Sequence, residues 1–461
     1  MSFQLGIDIG GTFTDVVLLD EKNEKLTFGK TLTTYGDPTD GIVNGIQQVL
    51  RDNHVSGKDI RRVLHGTTLV TNAIIERKGA KTGLITTKGF EDVLEIGREL
   101  RYDIYDLNIT MPKPLVPRNL RVGVSERMDK HGNIIHSLNQ SDLAESVQKL
   151  VDQGVEAVAI CYMFGFMNPT HEQETAQYIQ SHFPDIYVSV SSEIMPEIRE
   201  YERTSATAMN AFVQPLTHTY LSRLETRLYE MDIAGVINIM LSSGRLTTLE
   251  GAKHSPIHLL ESGPAGGTMA GVFVGKQTHR KDLFAFDMGG TTAKASLIHN
   301  HEPDITNQFE AGRVKRFRKG SGLPVRIPVI DMIEIGAGGG SIAKVNQLGL
   351  LTVGPESAGS EPGPACYDRG GKFPTVTDAD LVLGYLNEDF FLGGTMKLNR
   401  QKAEDAIRIH LAESLGLSVE DAALGVHRVV NENMANAARV HILEKGQDPR
   451  HYTMMARVLS F

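Results

Sequence analysis

The chain has 461 residues, a formal net charge of −9 and 41% hydrophobic residues. That length exceeds one hydrophobic core and predicts two or three domains, and the negative balance opposes a nucleic-acid backbone. No run approaches the roughly 18 apolar residues of a membrane span, no basic stretch leads into an apolar core at the N-terminus, and Cys161 and Cys366 form no C-x-x-C pair. The expectation is a cytoplasmic protein with no membrane partner, disulfide framework or thiolate zinc site.

In chain order, the apolar run at residues 5–7 enters Asp8-Ile9-Gly10-Gly11-Thr12-Phe13-Thr14-Asp15 and leaves through a second apolar run at 16–19. This reads as strand, glycine turn, strand. Two glycines let the backbone turn sharply and bring its N–H groups to an anion, and threonines add hydroxyl donors. An aspartate cannot face a bare phosphate, so Asp8 implies Mg²⁺ or its waters. Residues 40–50 read as the first helix. Residues 63–64 lead into His65-Gly66-Thr67-Thr68, and 69–78 read as a helix capped by Gly79. Residues 81–86 form a strand, the Pro-rich 111–117 a loop, 155–162 a buried strand, 170–183 a helix and 186–190 a strand. A domain boundary is expected there, giving domains 1–190 and 191–461.

Ser262-Gly263-Pro264-Ala265-Gly266-Gly267 reads as a turn before a small-residue helix. Residues 283–286 then enter a second copy of the phosphate pattern, Asp287-Met288-Gly289-Gly290-Thr291-Thr292. Residues 328–335 read as a strand, followed by a nest, Gly336-Ala337-Gly338-Gly339-Gly340-Ser341, whose Gly338 and Gly339 amides are candidate anion donors. Residues 354–371 read as a long loop, and 401–415 and 419–444 as closing helices. The alternation of elements predicts an α/β fold.

One D-x-G-G-T is an ordinary hairpin signal, but two copies after matched apolar runs point to phosphate binding. Neither copy is a P-loop or Rossmann fingerprint. A strand–turn–strand with this turn used twice resembles the actin/Hsp70/sugar-kinase superfamily of ATPases, which implies two domains around a nucleotide cleft.

A more specific resemblance rests on the first phosphate motif, His65-Gly66-Thr67-Thr68 with Thr71-Asn72-Ala73, and Glu76-Arg77-Lys78-Gly79-Ala80. It continues through Asn168-Pro169 with His171-Glu172, Pro196-Glu197-Ile198-Arg199-Glu200-Tyr201-Glu202-Arg203, the Ser262-to-Gly267 element, and Gly363-Pro364-Ala365-Cys366-Tyr367. On these the chain resembles the hydantoinase A/oxoprolinase family: ATP-dependent hydantoinase subunits, 5-oxoprolinase and acetone-type carboxylase subunits. The resemblance implies ATP-dependent hydrolysis of a cyclic amide, with ketone carboxylation or a catalytically inactive nucleotide-binding subunit as alternatives, and a second, hydantoinase B-type subunit as partner. In that scheme Asp8 and Asp287 handle Mg²⁺, and Gly10, Gly11, Thr12, Thr14, Asp15, Gly289, Gly290, Thr291 and Thr292 grip ATP. His65 is a catalytic candidate, and Thr67, Thr68, Asn72 and Arg98 are substrate-side candidates.

Three departures stand out. Lys294 replaces the aspartate that would match Asp15. Ser242-Ser243-Gly244-Arg245 replaces a Ser-Asn-Gly-Gly element. The chain stops where a further glycine-rich turn is expected, so it reads as C-terminally truncated.

Overall fold

The structure is a computed structural model that describes residues 3–10, 13–34, 38–315, 318–391, 394 and 396–458. The chain forms two compact units, residues 1–265 with 305–329, and residues 266–304 with 330–461.

The first unit contains two sheets. The six-stranded sheet runs in the order Leu246–Thr248, Val236–Met240, Ile60–Thr67, Phe3–Ile9, Phe13–Asp20, Lys25–Leu32. Its first hairpin follows from the alternation of the sequence: Leu5, Ile7 and Ile9 face Leu18, Val16 and Thr14 in register. That face is buried with Ile42, Ile46 and Val49 of the helix Pro38–Asp52. The second sheet is parallel, in the order Tyr187–Val190, Ala157–Cys161, Thr82–Thr87, Arg121–Val124. Its central strands are near-continuous apolar runs, as a sheet covered on both faces requires.

The 31-residue helix Glu200–Glu230 packs on strands of the parallel sheet, and its Tyr220 reaches His65 of the six-stranded sheet. The boundary expected near residue 190 therefore falls inside the first unit, because residues 1–190 do not close their cores without that helix.

The second unit is built on a sheet in the order Glu302–Pro303, Ala293–His299, Leu283–Met288, Thr453–Val458, with Met332–Ile335 also pairing the Ala293–His299 strand. The helices Val376–Val382, Arg400–Ile407 and Val419–Glu444 pack together over its core.

Local expectations are corrected at four places. The helix Leu69–Glu76 is capped by Arg77 in the left-handed conformation, φ 54°, rather than by Gly79. Gly79 instead admits Phe212, since a Cβ there would meet its ring at 2.4 Å. Residues 262–267 are the first turns of the helix Ser262–Gln277, not a turn ahead of it. The strand expected over 328–335 is split into Val329–Ile330 and Met332–Ile335. Much of the start of the expected 354–371 loop belongs to the strand Leu351–Ser357.

Candidate phosphate-binding turns

In the first unit, Asp8 is the next-to-last residue of an antiparallel pairing, with Asp15 opposite it, and lies beside Gly66 of the parallel Ile60–Thr67 strand. Successive strand residues alternate faces, so Asp8 and Gly66 share one face while Ile7, Ile9, His65 and Thr67 occupy the other. A Cβ on Gly263 would lie 3.1 Å from Asp8 Oδ1, and one on Gly66 3.4 Å. Two glycines thus hold backbone close to this carboxylate, one from a strand end and one from the first turn of a helix. Ser262 locks that helix start in place. Its Oγ donates to the Thr67 carbonyl at 2.8 Å and accepts from the Thr67 N–H at 3.2 Å.

Thr68 donates from both its N–H and its hydroxyl to the Ile9 carbonyl, at 3.3 and 3.2 Å, and so braces the strand that delivers Asp8 to the turn. The Gly10 carbonyl accepts from Thr33 Oγ1 at 3.0 Å, and Thr14, fully buried, pairs its hydroxyl with the same Thr33 at 3.1 Å. Thr14 is therefore held inside the fold. Asp15 forms an ion pair with Lys30 at 3.2 Å. Gly11 and Thr12 lie outside the described residues.

His65 is buried, and its Nε2 meets the Tyr220 hydroxyl at 2.8 Å. Burial disfavours the imidazolium and moves its pKa down to about 4. Thr67 is buried and caps the following residue, its Oγ1 accepting from the Leu69 N–H at 3.1 Å. Asn72 is exposed, with Nδ2 3.4 Å from Thr68 Oγ1. Arg98 donates from Nε to the buried Glu202 carboxylate at 2.5 Å, away from these groups in sequence and bonded to the long helix.

The second unit repeats the construction. Asp287 sits in the strand Leu283–Met288, which pairs antiparallel with Ala293–His299 and parallel with Thr453–Val458. This matches the antiparallel and parallel neighbours of the Phe3–Ile9 strand. Asp287 stands opposite Lys294 as Asp8 stands opposite Asp15. The turn closes with Gly289 N–H donating to the Thr292 carbonyl at 2.9 Å, and Gly290 and Thr291 are exposed.

The 336–341 segment lies directly against this turn. Gly339 N–H donates to the Gly289 carbonyl at 3.1 Å and Gly340 N–H to the Gly290 carbonyl at 2.6 Å, while Gly338 N–H is taken by Ser341 Oγ at 2.9 Å. A Cβ on Gly338 would meet Gly289 O at 2.7 Å. These amides are therefore spent on shaping the turn.

Around Asp8 the donor set suits a hydrated divalent cation beside phosphate: a hard carboxylate with glycine backbone of Gly66 and Gly263 close to it. Sequence reasoning missed Gly66 and Gly263 as walls of the Asp8 site, and Thr33 as the brace under Gly10. The first two stood inside quoted motifs, but nothing local signalled that they would converge. Thr33 lies just past the end of the strand Lys25–Leu32, with nothing local to mark it.

The pattern of the Hydantoinase/oxoprolinase family matches residues 203–457, and that of the family's N-terminal region matches residues 4–183. The chain belongs to the hydantoinase/oxoprolinase family. Within it, the chain is 42% identical over 460 residues to an uncharacterised protein of Methanocaldococcus jannaschii, covering 98% of this chain and 67% of that protein. It is 37% identical over 459 residues to the caprolactamase subunit alpha of Pseudomonas jessenii, covering 98% and 64%.

The crystal structure of that organism's ATP-dependent caprolactamase superposes with a TM-score of 0.83 at 36% identity, covering 99% of this chain and 65% of that one. Nucleotide-free acetone carboxylase superposes with a TM-score of 0.82 at 28% identity, covering 98% and 64%. The chain thus spans about two thirds of the length of these relatives. The two family patterns meet between residues 183 and 203, inside the first compact unit. Among the described residues no helix is long and apolar enough to cross a membrane.

Proposed function

We propose that this chain uses ATP to phosphorylate the carbonyl oxygen of a small cyclic amide, which water then opens. The observation that carries this reading is the repeated strand end: Asp8-Ile9 and Asp287-Met288 each close a strand flanked by one antiparallel and one parallel neighbour, ahead of a Gly-Gly pair in the sequence. The repetition supports an actin-like ATPase fold. Glycine turns serve phosphate because their N–H groups approach closely, and hydroxyls of Thr12, Thr291 and Thr292 extend the grip. The Asp8 and Asp287 carboxylates would hold Mg²⁺, which when bound shields the charge of the phosphate oxygens. Thr14, Gly338 and Gly339 act by shaping the turns, and His65 by packing in the strand beside that of Asp8.

An amide carbon is a poor electrophile because nitrogen shares its electron pair with the carbonyl. Transfer of the γ-phosphoryl group to the oxygen, with departure of ADP, withdraws that density and opens the carbon to water. The ring C–N bond then breaks, the nitrogen takes a proton, and the phosphoryl group ends on water as inorganic phosphate. Thr67, Thr68, Asn72 and Arg98 are the proposed substrate-side residues, with Thr68 and Asn72 joined beside the first turn. Caprolactamase subunit alpha and acetone carboxylase beta subunit are each named as one subunit of an assembly, which supports a second, hydantoinase B-type chain as partner.

The similarity to acetone carboxylase supports a second reading, ATP-dependent carboxylation of a ketone, in which the phosphoryl group traps an enolate or activates bicarbonate. Phosphate release from Mg·ATP separates the two. Stimulation by caprolactam, 5-oxoproline or hydantoin supports the hydrolase; stimulation only by acetone or acetophenone with bicarbonate replaces it with the carboxylase. No stimulation by either set, with the partner chain present, counts against both.

A further inference from the structure

The second turn is oriented from behind, by peptides of its own unit. In a trans peptide the carbonyl and the N–H of the next residue point in opposite directions. The Gly289 carbonyl accepts from the Gly339 N–H at 3.1 Å, so the Gly290 N–H of that same peptide is aimed away from the 338–340 segment. The Gly290 carbonyl accepts from the Gly340 N–H at 2.6 Å, so the Thr291 N–H is aimed the same way. Gly290 and Thr291 are exposed, and neither N–H has a hydrogen-bond partner among the described residues. Two successive N–H groups aimed together into open space are donors for an anion.

Each rear peptide is gripped in turn by its own carbonyl. The Gly338 carbonyl, in the peptide that carries the Gly339 N–H, accepts from the Ser341 N–H at 3.0 Å. The Gly339 carbonyl, in the peptide that carries the Gly340 N–H, accepts twice from one residue: from the Thr377 N–H at 2.8 Å and from Thr377 Oγ1 at 2.9 Å. Thr377 is buried in the first turn of the helix Val376–Val382, where an N–H has no acceptor within the helix. That helix start is itself fixed, because the buried Asp378 carboxylate accepts from the Thr375, Ala365 and Cys366 N–H groups at 2.9, 3.2 and 2.7 Å. All of these residues belong to the second unit.

We infer that Thr377 is a positioning residue of the second phosphate turn. It heads a line of hydrogen-bonded peptides that runs through Gly339–Gly340 and Gly290–Thr291 and ends on the Thr291 N–H, the donor offered to phosphate. Peptides bonded in line polarise one another, so the Thr377 hydroxyl both fixes the direction of that N–H and strengthens it as a donor. The inference rests on the nucleotide reading above and adds a residue that never touches the ligand.

The test is Mg·ATP affinity by calorimetry on the full chain, with thermal unfolding of every variant. Thr377→Val keeps the N–H bond to Gly339, so no buried carbonyl is orphaned, and loses only the Oγ1 bond. It should weaken binding about fivefold, the size of one neutral hydrogen bond. Thr377→Ser restores the hydroxyl and should stay within about twofold of the parent. Thr377→Ala carries the same test if the valine variant fails to fold. Affinity unchanged in the folded hydroxyl-free variants, or a loss in Thr377→Ser as large as theirs, overturns the positioning role alone. A parent chain that does not bind Mg·ATP overturns the nucleotide reading instead.

Discussion

At the scale of the residue, small groups stand where a side chain would crowd a carboxylate. Gly263 lies in a helix, where alanine is favoured over glycine by roughly 0.5–1 kcal/mol, yet a Cβ there would stand 3.1 Å from Asp8 Oδ1. Gly263→Ala should therefore leave the melting temperature unchanged or raised while weakening Mg·ATP binding about tenfold, as scanning calorimetry and titration on one sample would show. His65 gives a prediction of opposite kind. Its folded-state pKa, about 4, is depressed below the ordinary 6.5 by burial, so unfolding lets it take up a proton at mildly acid pH. The stability held by the neutral ring is fully present above pH 6.5 and is lost as pH falls from 6.5 toward 4, by about 3 kcal/mol for a shift of this size. Denaturant midpoints followed across that window should fall steeply in the parent and less steeply in His65→Gln. Some slope should remain, since burial lowers the His258 and His441 pKa values too. The strands that carry Asp8 and Asp287 were legible because apolar runs flank both aspartates. The Gly66–Asp8–Gly263 convergence was not, because it joins a strand end to a helix start that only the fold brings together.

At the scale of the element, the strands around residues 5–9, 13–20, 60–67, 82–87, 157–161 and 187–190 were legible as apolar runs, whereas the strand Lys25–Leu32 and the helices Gln140–Asp152 and Glu200–Glu230 were not, and other misreadings fall where tertiary packing overrules a local signal. Gly79 looked like a helix cap but is glycine because Phe212 occupies the space a side chain would need. Ser262-Gly263-Pro264 looked like a turn because proline and glycine usually punctuate, but proline is tolerated in a first helical turn and the helix begins there. In the Gly336-to-Ser341 segment the Gly339 and Gly340 amides bond to the Gly289 and Gly290 carbonyls, and the Gly338 amide to Ser341 Oγ. It follows that this segment acts on the second turn through shape. Gly338→Ala would force a Cβ to within 2.7 Å of the Gly289 carbonyl oxygen; overpacking of this kind costs about 2 kcal/mol. Equilibrium unfolding should register that loss together with weaker ATP binding, while stability unchanged within about 0.5 kcal/mol would mean that the segment does not brace the turn.

At the scale of the whole molecule, composition and length correctly anticipated more than one core, and the α/β class followed from the alternation of elements. The division into compact units did not follow, because residues 305–329 return to the first unit and no compositional break marks that return. Family membership was legible since its motifs span nearly the whole chain, from the first phosphate turn to Gly363-Pro364-Ala365-Cys366-Tyr367. The substrate was not, since caprolactamase and acetone carboxylase both superpose on this chain with TM-scores above 0.8. The central claim is that both Asp-Gly-Gly turns bind nucleotide, and Mg·ATP calorimetry on the parent chain beside Asp8→Ala and Asp287→Ala tests it most directly. Saturable binding by the parent, weakened at least about tenfold in each variant with melting temperatures retained, is the predicted result. Binding that survives intact when both aspartates are removed together would contradict it.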